Sequence, residues 1–64
     1  MGVMAFEVCR QARDARWIVR LNNAVYGAYL DKEQALLDAA RDALLSGCEA
    51  QVWLREHAGT ARIL

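Results

Sequence analysis

No proline, no paired cysteines and no excess of either charge occur in this chain of 64 residues, and each lack closes off a class of function. Without proline, and with short turns, nothing marks a stiff linker, so residues 1–64 read as one domain. Cys9 and Cys48 stand far apart with no CxxC between them, which excludes a paired-thiol metal or redox motif. Free, reduced thiols in a cytoplasm are the expected state. His57 is the only histidine. A metal would need further His or Cys at ligand spacing, and acid–base chemistry would need a partner positioned beside the ring. Glu56 is adjacent, but neighbours on a strand point to opposite faces. The glycines, Gly2, Gly27, Gly47 and Gly59, are scattered singly, so there is no phosphate-binding loop.

Long apolar runs are also missing. No stretch approaches the roughly 20 residues of a membrane span. Met1 to Phe6 lacks the basic-then-apolar pattern of a signal peptide, and Phe6 occupies the place where a myristoylated Gly2 would want Ser or Thr. Eight Lys and Arg balance eight Asp and Glu, which argues against a generic polyanion binder. Seven of the eight basic residues are Arg, beside twelve Ala, a composition associated with GC-rich bacterial genomes. These readings predict a cytoplasmic, bacterial, non-enzymatic protein with no catalytic residues, no metal and no cofactor.

What the chain does hold is periodicity. Met4, Phe6 and Val8 alternate with Ala5, Glu7 and Cys9, as one strand with one apolar face does. After a turn over residues 12–15, Trp17, Val19 and Leu21 alternate with Ile18, Arg20 and Asn22. Asn22-Asn23 suits a tight turn, since Asn tolerates positive φ. Residues 25–30 read as a third short strand that Gly27 would weaken or kink. Asp31 is a candidate N-cap, with Gln34 completing a capping-box pattern. Ala and Leu then carry a helix to Ser46, and Gly47 fits the left-handed position beyond it. At helical spacing Leu36, Leu37, Ala40, Ala43 and Leu44 share one face, which is expected to seat on the sheet. Gln34, Asp38, Arg41 and Asp42 fall opposite, as a solvated face with Asp38 and Arg41 compensating. Cys48 is expected to pack. Ala50, Val52 and Leu54 alternate with Gln51, Trp53 and Arg55, and a turn at 56–59 leads to a last strand with Ala61 and Ile63.

The fold class predicted is α+β in two layers: an antiparallel-rich sheet of four or five strands with one helix on one face, in the order β-β-(β)-α-β-β. Three short stretches, Trp17-Ile18-Val19-Arg20, Asp31-Lys32-Glu33-Gln34-Ala35 and His57-Ala58-Gly59 with Arg62-Ile63, resemble a family of small bacterial domains of unknown function. That family's members pair a Trp-x-Val strand with a Lys-x-x-Ala helix start and close on a Gly-containing hairpin. In this chain Thr60 and Ala61 intervene between the turn glycine and the basic-Ile pair. The resemblance implies the same strand-strand-helix-strand-strand order and no particular activity.

Function then rests on the uncovered side of the sheet. One helix is about 10 Å wide and strands lie about 4.8 Å apart, so one face stays bare. By parity that face carries Trp53 with Ile18, Arg20, Arg55 and Arg62, beside Glu7 and Cys9. Aromatics and Arg are frequent interface anchors, so the first expectation is a homodimer through this face or an edge strand, and no membrane. An unidentified protein partner fits the same surface. A Trp merely covering Arg stems ranks second. A single-stranded nucleic-acid site, with Trp53 stacking and the arginines on phosphates, is the alternative from another class.

Overall fold

The computed structural model describes residues 3–64, so the readings of Met1 and Gly2 lie outside it. Five strands and one helix follow in the predicted order: β1 Met4–Arg10, β2 Trp17–Leu21, β3 Ala24–Tyr29, α1 Lys32–Leu45, β4 Ala50–Glu56 and β5 Gly59–Arg62. They form a single sheet in the order β3-β2-β1-β4-β5 with the helix against one side. β1 and β4 run parallel, and every other pair is antiparallel. A parallel pair cannot close through a hairpin; here β2, β3 and α1 make the crossover.

Turn chemistry sets the hairpins. Asn22 and Asn23 take φ of 49° and 72°, the paired positive values of a two-residue hairpin turn. The Asn22 side-chain oxygen also accepts the Ala5 amide at 3.0 Å, and the Asn22 amide donates to the Ala5 carbonyl at 3.0 Å. The β2–β3 turn is thereby tied to the central strand. Gly27 does mark an irregularity. Val19 stands opposite Gly27 and Arg20 opposite Val25, so Tyr26 is the extra residue of a bulge. The extra residue sends Tyr26 to the helix side, where its ring meets Phe6 edge-on at 5.8 Å. The Tyr29 ring lies over Gly27, where an added Cβ would come within 3.1 Å of it.

The core is Phe6, Val8, Val19 and Val52 from the sheet with Ala35, Ala39 and Ala43 from the helix. This corrects the expected helix face. Leu36 is half-covered and packs on the core, but Leu37 and Leu44 are 65% and 73% exposed. The helix is turned by about 100°, one residue step, from the expected orientation. Two apolar stripes compete on this helix, and the alanine stripe wins because small side chains let the helix axis sit close over β1 and β4. Leucines at the same positions would hold it away.

The turn of the helix also moves its acids. Asp38 and Asp42 lie on the flank facing β3 rather than on a solvated face. The Tyr26 hydroxyl donates to Asp42, and Asp38 lies close enough to Tyr29 to raise its pKa. Arg41 still pairs with Asp38, at 3.4 Å. The capping box does not form. Asp31 holds the N-cap position without a side-chain bond to the backbone, and Gln34 donates instead to Asp38 at 2.9 Å. Lys32 fastens this end, 3.2 Å from Glu56 and 5.8 Å from the Trp17 ring centre. Gly47 takes φ of 72° just past the helix as expected, whereas Cys48 is exposed and free rather than packed.

Candidate interaction surface

The five residues expected on the bare face do come together there. Strand register lays them in two rows across the sheet. In the first, Val25, Arg20, Glu7, Trp53 and Arg62 follow one another from β3 to β5. In the second, Ala28, Ile18, Cys9, Arg55 and Thr60 do the same. No helix covers either row: the helix-facing positions are the alternate residues Phe6, Val8, Val19 and Val52.

Trp53 and Ile18 are half-buried by their neighbours, whereas Arg20, Arg55 and Arg62 are exposed. The Trp53 ring N–H donates to the Gln51 side-chain oxygen at 3.0 Å, which holds the indole along β4. Glu7, on the central strand, is the one acid in either row, and Arg55 approaches it at 3.8 Å. An exposed pair of this kind contributes little energy, so Arg55 is free to exchange partners. A shallow, open depression runs over Glu7, Cys9, Arg20 and Arg55, with Arg10 and His57 at its rim. Among the described residues no three His, Cys, Asp or Glu side chains gather as a metal site. Among the described residues no helix is long and apolar enough to cross a membrane.

The balanced net charge hides a strong partition. Residues 31–49 hold Asp31, Glu33, Asp38, Asp42 and Glu49 against Lys32 and Arg41. The strands and hairpins hold six arginines against Glu7, Asp14 and Glu56. The helix layer is therefore acidic and the sheet layer basic.

Two further surfaces are free, a helix side that was not anticipated and a sheet edge of the kind that was. The outward helix side carries Leu37 and Leu44, one heptad apart. The signal that could have revealed them was the rival stripe Ala35, Ala39 and Ala43 at fourfold spacing. The other surface is the free edge of β5. Ile63 donates its amide to the Val52 carbonyl at 2.8 Å and the Val52 amide donates to the Leu64 carbonyl at 3.3 Å, so Val52 turns its backbone groups toward the end of the chain beyond β5. Bonded pairs alternate along an antiparallel ladder. Thr60 and Arg62 therefore turn their backbone N–H and C=O groups away from β4, toward solvent. Beside this edge Ile63 and Leu64 are exposed.

No family model, curated protein or solved structure matches this chain.

Proposed function

We propose that this chain is a non-enzymatic interaction module that acts as a homodimer joined edge to edge through β5. The carrying observation is the free backbone of Thr60 and Arg62, which is an open template for another strand. The opposite edge is guarded, because the Tyr26 bulge breaks the regular ladder of β3. Charge argues against stacking the open faces on one another. That arrangement would press Arg20, Arg55 and Arg62 of one copy against the same three of the other, with one Glu7 each to compensate, and like charges across an interface are costly.

Register follows from the same geometry. In an antiparallel β5–β5 pair, outward-turned residues must face outward-turned residues. Placing Thr60 opposite Arg62 of the second copy satisfies this, puts small Ala61 on the two-fold axis and keeps the two arginines apart. Ile63 and Leu64 then border the new junction. The open faces become one continuous surface.

Sedimentation across a concentration series tests the proposal, with circular dichroism as the fold control. The parent should be dimeric. Thr60→Pro should be monomeric yet folded, since proline is tolerated where the N–H takes no part in the ladder. Trp53→Glu should stay dimeric. A parent that remains monomeric overturns the proposal. A dimer split by Trp53→Glu and untouched by Thr60→Pro would instead place the contact on the open face.

A further inference from the structure

We infer that the open sheet face binds single-stranded nucleic acid, with Trp53 stacking on a base and Arg20, Arg55 and Arg62 holding phosphates. The inference rests on reading this face as the working surface, and it does not require the dimer.

Charge carries it first. The basic residues of a neutral chain are gathered in the sheet layer, and three of them project from the face that no helix covers. Phosphate neutralisation by such side chains supplies most sequence-independent affinity. The arrangement of the rows carries it further. Trp53 has Arg62 on one side and Glu7 on the other, with Arg20 in line beyond Glu7, so a cation stands in the row on either side of the Glu7–Trp53 pair. The bond to Gln51 at 3.0 Å ties the indole to its own strand and so limits its movement. Around it the floor is low: Ala5 and Thr60 are small, so an extended polymer can cross the strands. Base–aromatic stacking asks for little else and tolerates any base.

An acidic polypeptide would meet the same arginines. A protein interface, however, is centred on large apolar anchors, and beside Trp53 the two rows offer only Ile18 and the edge residue Val25. The flat, basic, single-aromatic pattern fits a stacked base better than a docked side-chain cluster. Glu7 is the one group on the face that opposes the ligand, and its only cationic partner, Arg55 at 3.8 Å, is 64% exposed and free to turn to a phosphate.

The test is fluorescence anisotropy of a labelled oligothymidylate titrated with the full chain at low and moderate salt. Binding is expected at low salt. Its logarithmic dependence on salt should have a slope of about −2, as three phosphate contacts on a single strand give. Trp53→Leu, checked for fold by circular dichroism, should weaken binding about ten-fold through loss of stacking. Arg20→Gln and Arg62→Gln should each make the slope shallower by about 0.7. Glu7→Gln should tighten binding by removing the repelling carboxylate. Absence of binding at low salt overturns the inference, as does binding that Trp53→Leu leaves unchanged. Labelled polyglutamate bound as tightly as the oligonucleotide overturns it in favour of an acidic polypeptide. A dimer that ignores the oligonucleotide defeats this inference alone, and a monomer that binds it defeats the β5 dimer alone.

Discussion

The helix and the sheet each divide their residues into a covered and an uncovered side, but they do so by different rules. On the sheet the division is binary. Val52 is buried and Trp53 beside it is on the open face, with no intermediate choice. On the helix the division is graded around a circle. Ala35, Ala39 and Ala43 lie under it and Leu37 and Leu44 over it, with Leu36 between them at the margin. A strand therefore exposes whatever parity dictates, whereas a helix exposes whichever stripe loses a competition in fit. In this domain the larger hydrophobic groups lost.

Substitutions on the two helix stripes should separate fit from hydrophobicity. The largest effect is expected for Ala39→Leu, which adds volume where the residue is fully buried against the sheet. Overpacking of this kind costs about 1–3 kcal/mol, a large share of the stability of so small a domain, and thermal unfolding will show it. A smaller effect is expected from the two tyrosines of β3 that face the acidic helix flank. The hydrogen bond to Asp42, with burial and the Asp42 charge, raises the Tyr26 pKa above 10.0. Burial first, then the neighbouring Asp38 carboxylate, raises that of Tyr29. A raised pKa means that the folded state holds the proton more tightly than the unfolded chain. The contribution is therefore complete below the ordinary tyrosine value and is lost as pH rises through the raised values. Denaturant titrations should show stability falling on the alkaline side of pH 10, and Tyr26→Phe with Tyr29→Phe should flatten that fall. The smallest effect belongs to Leu44→Ser. At 73% exposure it should stay within about 0.5 kcal/mol of the parent; a large loss would show that the leucine stripe is covered after all.

Periodicity made the open face legible. Because side chains alternate strictly along a strand, Trp17 could be assigned to the helix side and Trp53 to the other without knowing which strands are neighbours. The order of strands was not legible. Alternation is the same whether β4 lies parallel beside β1 or elsewhere, and only the crossover distinguishes them. Tyr26 could not be placed, since a bulge resets parity at one residue. The seating of the helix was misread because leucine outranks alanine in hydrophobicity, while close approach over Phe6, Val8 and Val52 favours the smaller residue. Asp38 and Asp42 followed that error. Their neighbours, Tyr29 and Tyr26, lie on a different element, and no local spacing announces them. The bonding pattern of the β5 edge was equally out of reach, because which amides turn outward depends on the register with β4.

The central position of β1 also bears on how the chain assembles. Met4 stands opposite Ala50, so the strand at the middle of the sheet waits for a partner from near the other end of the sequence. The β1–β2–β3 meander and the helix can form from near neighbours, while the β1–β4 junction must close a long loop first. During synthesis the meander emerges with one flank of β1 unpaired and with Phe6 and Val8 uncovered until the helix and β4 arrive. Such an interval is when sheet proteins associate wrongly. Slow translation before Ala50 should therefore lower the yield of this domain more than slow translation after it.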